Sequence, residues 1–261
     1  MKQVIALCLA FNGLNLNAQK ILNNVSITST VETHTEMNGN RSAVNTIHFQ
    51  VFIKDSLSKV TQDLASMKII KFLDRATGIS TVLTDNGAEM KTGFRMTVAD
   101  QLLEKKSRDS ISKVLAGENA QAGRSSFGSG GHLTKNIVYL NEQKSINNIS
   151  CKKAEVTKED MAGVKTVFMV WYTDEYILPE AFLETNMMLG FAGLKGLPVY
   201  YESVKTMSMY DQEIAMIGVY QITELKTDAI IAPAEFEIPT GFKIKSFKEW
   251  IRDNPSGIIG R

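Results

Sequence analysis

Apolar and polar residues alternate with a period of two along most of this chain. The pattern is clearest in TIHFQVFIKD, where Ile47, Phe49, Val51 and Ile53 alternate with His48, Gln50 and Phe52. Successive side chains of a strand point to opposite faces, so this spacing predicts a strand with one buried face. The β-branched residues of NNVSITSTVETHTEM predict an opening strand before it. SMKIIKFLD and ISTVLTD, separated by RATG, predict a hairpin with Gly78 in the turn, and MKTGFRMTV a further short strand. In the second half KNIVYLNE, KKAEVTKE, VKTVFMVWYT, LPVYYESVKTMSMYD and EIAMIGVYQITELKTD all read as strands.

The period changes twice. Thr97 opens a T-x-x-D capping pattern, after which Val98, Leu102, Leu103, Ile111, Val114 and Leu115 form an irregular helical stripe. PEAFLETNMMLGFAGLKG predicts a second helix carrying Phe182, Leu183, Met187, Leu189 and Phe191, closed by Gly193 or Gly196. Strands, a helix, strands, a helix, strands is the order of an antiparallel sheet with a few helices, not of βαβ units. In VKTVFMVWY the set Val164, Phe168, Val170 and the set Val167, Met169, Trp171 are both apolar. Ile214, Met216, Tyr220 and Ala215, Ile217, Val219 repeat the feature, so cover on both faces of these strands is expected. That cover is the helices, a second sheet or an apolar guest.

Composition then narrows the picture. Lys2, the apolar run VIALCLAF and a small residue at Ala18 form the n-, h- and c-regions of a signal peptide over residues 1–18. Cleavage is expected between Ala18 and Gln19, leaving residues 19–261 as a single domain, periplasmic or secreted, with no transmembrane anchor. Whole-chain counts are 29 Lys and Arg against 28 Asp and Glu, and removal of Lys2 leaves 28 of each. So neutral a chain carries no global field for nucleic acid, and no nucleic-acid partner is expected. Of two cysteines only Cys151 remains, which excludes an internal disulfide framework. Residues 116–132, AGENAQAGRSSFGSGGH, read as a flexible surface loop, since they lack the strand–loop–helix context and the lysine of a phosphate-binding loop.

Catalytic and metal constellations do not emerge. Cys151 lacks a CxxC partner and reads as a half-buried core cysteine. His34, His48 and His132 have no metal-ligand spacing. Asp174 and Glu175 are neighbours past a strand end and point apart. No catalytic residue, metal or cofactor is therefore expected, and the reading is not that of an enzyme.

CKKAEV (Cys151–Val156), VWYTDE (Val170–Glu175), GLKGLPVYYE (Gly193–Glu202) and FEIPTGF (Phe236–Phe242) occur in that order, with FLDRATGISTVL (Phe72–Leu83) upstream. Together they resemble the exported bacterial GLPGLI-type proteins and a related domain-of-unknown-function group whose fold is like the lipoprotein carrier LolA. Asn148 and Ile149 replace the glycine–tyrosine pair that usually precedes the cysteine, and GLPGLI is degraded to GLPVYY. The resemblance implies a mostly-β (α+β) fold: a curved antiparallel half-barrel with a few helices on its concave face. It also implies a cavity for an acyl chain or lipoprotein, so a non-enzymatic binding module for an apolar ligand is expected. Its alternative is a structural or interaction protein of the cell envelope with a self-filled groove. Trp171, Phe182, Met187, Leu189 and Phe191 are the expected ligand contacts. Intact mass of the exported protein should place its first residue at Gln19, and a membrane-retained form keeping residues 1–18 would contradict this.

Overall fold

The computed structural model of the protein describes residues 19–87, 91–104, 106, 133–159, 165–179, 182, 190–209 and 212–254. The expected signal peptide (1–18) and loop (116–132) lie outside them, as do Met187 and Leu189. The described strands are β1 (Lys20–Ile21), β2 (Asn24–Met37), β3 (Asn40–Arg41), β4 (Asn45–Lys54), β5 (Leu57–Leu64), β6 (Met67–Asp74), β7 (Ile79–Asp85) and β8 (Lys91–Met96). They continue as β9 (Leu133–Ile146), β10 (Ile149–Glu159), β11 (Lys165–Thr173), β12 (Tyr176–Ile177), β13 (Leu197–Met209), β14 (Gln212–Thr227) and β15 (Lys243–Ser246). The sheet runs β15-β8-β7-β6-β5-β4-β2-β14-β13-β11-β10-β9, with β3 on β2, while β1 and β12 form a separate parallel pair. It is open, not closed into a barrel, and antiparallel except where β15 joins β8. The expected mostly-β architecture, consistent with a half-barrel, is met.

Two meanders make this sheet, and β2 joins them. On one side β2 pairs with β4, on the other with β14. Its period-two pattern places Val25, Ile27, Ser29 and Val31 on one buried face, called inner here. The register extends that face as a row, Ile47–Val31–Tyr220–Tyr201–Val170–Ala154–Tyr139, across seven strands. A second row, Ile27–Val51–Val60–Lys71–Val82–Phe94, crosses the other meander. One face of one sheet therefore supplies both hydrophobic clusters.

β5 was not foreseen: the apolar residues of LSKVTQDL, Leu57, Val60 and Leu64, do not alternate, and the segment becomes a strand because β4 and β6 pair with both its sides. After β14 the chain crosses the outer face. Lys54 Nζ donates to the Ile231 carbonyl at 3.0 Å, and Lys59 pairs with Glu235 at 2.9 Å. The chain then adds β15 beside β8 and turns onto the inner face as the helix Phe247–Asp253. Ser246 and Glu249 form a capping box for that helix, and Phe247 and Trp250 pack on Phe94 with ring centroids 5.7 and 4.4 Å away.

Cover on both faces does occur, but not where the sequence placed it. On β11 and β13 the outward Val167 and Val204 are 45% and 52% exposed, so that outer face stays open to water. Instead Ile70 and Leu83, on the outer face of β6 and β7, are buried. Gly93 sits so close there that an added Cβ would lie 2.5 Å from Leu83 Cδ2 and 2.8 Å from the Val82 carbonyl oxygen. The Thr97–Asp100 capping pair is present, Thr97 N donating to Asp100 Oδ2 at 2.9 Å and Asp100 N to Thr97 Oγ1 at 3.3 Å. Residues 98–104 are helical as expected, yet Val98, Leu102 and Leu103 remain exposed rather than packed on the inner face.

Phe247→Ala should destabilise by about 3–5 kcal/mol, the range for emptying a buried phenyl site. Ser246→Ala, losing only the cap, should lower stability by about 1 kcal/mol. Urea denaturation of both variants checks this; equal effects would mean that the helix does not close the second cluster.

Candidate functional site

The connection between β12 and β13 lies over the inner face through its described residues, 178–179, 182 and 190–196. It contributes Leu178, Phe182, Phe191 and Leu194 to the main core. Phe182 and Phe191 are 1% and 3% exposed, as buried as the sheet residues beneath them. Both ends of the stretch are fixed. Before it, β12 pairs with β1, so that Leu22 N donates to the Ile177 carbonyl at 3.0 Å. After it, the Tyr139 hydroxyl donates to the Gly193 carbonyl at 3.2 Å and accepts from Lys195 N at 3.1 Å. Gly196 then passes so close to β11 that an added Cβ would stand 2.1 Å from the Thr173 carbonyl oxygen. Only glycine fits there.

Under this stretch lies a box of aromatic rings. Phe191 meets Phe168 and Tyr201 edge-on, with centroids 5.4 and 5.1 Å apart, and Phe168 meets Tyr201 at 5.8 Å. Tyr201 stacks on Tyr220 at 4.9 Å. Edge and stacked pairs at these separations are the favoured aromatic geometries. Burial pushes the phenols of both tyrosines far above their usual range. Ser29 stands beside the Tyr220 hydroxyl and favours its ionised form, yet that hydroxyl makes no hydrogen bond of good geometry.

One cation enters this box. In β10 the period-two set Ala154, Val156, Lys158 faces inward, and Lys158 is 8% exposed. Its ammonium donates to the Gly190 carbonyl at 2.7 Å and lies 4.2 Å from the Phe191 ring centroid and 5.4 Å from that of Phe168. Among the described residues no carboxylate comes within ion-pairing distance of it. Loss of solvent lowers its pKa from the usual 10.5 to about 8. Sequence analysis passed Lys158 over as one lysine among several in CKKAEVTKE; its place in the inward set was the signal that could have found it.

Of the other expected contacts, Met187 and Leu189 lie outside the described residues, and Trp171 lies elsewhere. Trp171 pairs with Lys153 and Tyr200 on the outer face, opposite Val170 and Tyr201, and so lies apart from Phe182 and Phe191. Its half-buried ring sits under Lys144 at 4.1 Å and Lys153 at 5.4 Å, a cation–π arrangement rather than a groove wall. Both face sets of β11 are apolar, so alternation alone does not separate Trp171 from the inner residues. Cys151 is fully buried, and burial pushes its thiol up to about 11, so it stays protonated and inert at neutral pH. Asp174 pairs with Lys152. No group of three or more potential metal ligands occurs among the described residues. A recess of about 420 Å³ opens on the outer face between residues 229–235 and strands β2, β4 and β14. Its charged lining is already paired, Glu224 with Lys226 and Glu235 with Lys59.

No family model and no curated protein matches the chain. Among solved structures, PNGF-II is similar at 10% identity and a TM-score of 0.37, over 87% of this chain and 33% of that one. Lipovitellin, in a structure of its lipid–protein interactions, is similar at 8% identity and a TM-score of 0.37, over 85% and 28%. A LolA superfamily protein from Nitrosomonas europaea follows at 12% identity and a TM-score of 0.26, over 85% and 94%. The chain thus spans about a third or less of the length of PNGF-II and lipovitellin. Similarity this distant assigns neither activity nor lineage.

Among the described residues no helix is long and apolar enough to cross a membrane.

Lys158→Met should stabilise the protein at neutral pH by about 1–3 kcal/mol, since the charged form is disfavoured by burial. The folded state releases its proton near pH 8, whereas the unfolded chain holds it to about 10.5. The penalty is therefore full below pH 8 and fades as pH rises toward 10.5, so the wild type should close the gap to the variant across that window. Denaturant midpoints of the two proteins over pH 7–10 check the sign, and a destabilised variant would refute it.

Proposed function

We propose that the chain is an exported, non-enzymatic binding module of the bacterial cell envelope, periplasmic or secreted, whose inner face exchanges the side chain of Phe191 for an apolar ligand. One observation carries this reading: among the described residues the aromatic inner face is closed by side chains of the β12–β13 connection, Phe182, Phe191 and Leu194, and not by a strand of the sheet. Phe191, whose ring fills the space between Phe168 and Tyr201, is the group to be exchanged. A ligand that takes its place recovers the apolar contacts of Phe168, Tyr201 and Tyr220, and binding strengthens with every methylene it buries. The resemblance to carriers with a LolA-like fold points the same way. The deep burial of Phe182 and Phe191 favours a second reading, a structural or interaction protein whose groove is permanently filled by its own side chains.

A fluorescent acyl probe, displaced by neutral alkyl alcohols of increasing chain length, separates the two. A binding module should show saturable displacement that tightens with length, by up to about fourfold per added methylene. The absence of probe binding, with no co-purified mass in native mass spectrometry, would leave the self-filled reading standing.

A further inference from the structure

We infer that the inner face selects a long-chain carboxylate, the anion of a fatty acid, and that Lys158 is the residue that reads its headgroup. This rests on the binding-module reading above and adds to it the charge and chemistry of the ligand.

The argument begins from what now occupies the site. Lys158 is met by the Gly190 carbonyl oxygen at 2.7 Å, and the side chain of the next residue, Phe191, fills the apolar space between Phe168 and Tyr201. An oxygen acceptor followed directly by apolar bulk is also the layout of a fatty acid. The carboxylate takes the place of the Gly190 oxygen and the alkyl chain that of the Phe191 ring. The exchange improves the polar contact. An ammonium has three donors, and among the described residues only one acceptor, the Gly190 carbonyl, is in place. A carboxylate brings two oxygens and a full negative charge, and a charge-assisted bond of this kind is roughly twice as strong as a neutral one. Lys158 gains the most from such a partner, because it is buried in an apolar box without a counter-ion among the described residues.

The same layout disfavours other guests. A neutral alcohol satisfies the lysine no better than Gly190 does. An alkylammonium brings a second cation into a site where the described residues supply no anion, and so is rejected. The surroundings agree: the residues paired with Lys158, Thr166 on β11 and Thr134 on β9, are both uncharged. A methionine in place of Lys158 would fill similar volume without the desolvation penalty, so the lysine is a group that stability alone does not call for.

Competition against a fluorescent fatty acid tests this with laurate, lauryl alcohol and laurylamine, which share one chain and differ in headgroup. Wild-type protein should rank them laurate, alcohol, amine, with laurate displacing the probe at a concentration at least about tenfold lower than the alcohol. Lys158→Met should bind laurate no better than the alcohol, while Lys158→Arg should restore part of the preference. Equal displacement by laurate and laurylamine in the wild type overturns the inference without touching the binding-module reading. So does a laurate preference that survives in a folded Lys158→Met. If no amphiphile displaces the probe, both readings fall together.

Discussion

Everything in this fold depends on the pairing of β2 with β14, strands almost 200 residues apart in the chain. Without it the protein is two separate meanders, each with one apolar face exposed. With it, the inner-face residues of both halves come into one register, and Val31 stands between Ile47 and Tyr220. The pairing is long, from Met37 opposite Ile214 to Val25 opposite Thr227, and is broken once by a bulge between Ile222 and Glu224. Bringing such distant strands together costs loop entropy that only the finished core offsets, so this pairing should be among the last contacts to form.

A lone sheet cannot hide its own apolar face, and each half solves that differently. The β4–β8 half is clasped by the end of the described chain, which crosses its outer face and returns as a capped helix over Phe94. The β9–β14 half is covered by Phe182, Phe191 and Leu194 of the β12–β13 connection. The first clasp is bound by ion pairs, an added strand and aromatic stacking. In the second, the described residues are held by the β1–β12 pair, by Tyr139 and by Lys158. This difference is why the second half is the place to look for exchange with a guest.

Strands with one wet face were legible from sequence because alternation survives wherever water is on one side, as in Ile47 to Ile53. β5 was not, since its strand character comes from its two neighbours and not from its own residues. The closing helix was missed, although Ser246 and Glu249 spell a capping box ahead of Trp250 and Ile251. Phe182 and Phe191 were legible as inner residues. Trp171 was not, because an apolar residue on an open face looks in sequence like one on a covered face. Lys158 was hidden for the opposite reason: a lysine in a lysine-bearing strand reads as solvated until the register shows what lies beside it.

An open sheet also has two edges, and unpaired backbone at an edge is a template for another chain. At one end the risk is met by brevity and charge. The four-residue β15 presents Lys243 and Lys245, both exposed, and runs parallel to its neighbour. At the other end β9 is 14 residues long, too long to be protected by brevity. Its pairing with β10 jumps from Gln143 to Tyr139 while β10 advances only from Lys152 to Ala154, so two extra residues are crowded into the outermost strand. Such a bulge bends and twists the strand, breaking the flat run of donors and acceptors that intermolecular pairing requires. The irregularity in β9 thus serves the solubility of a protein that leaves its sheet unclosed.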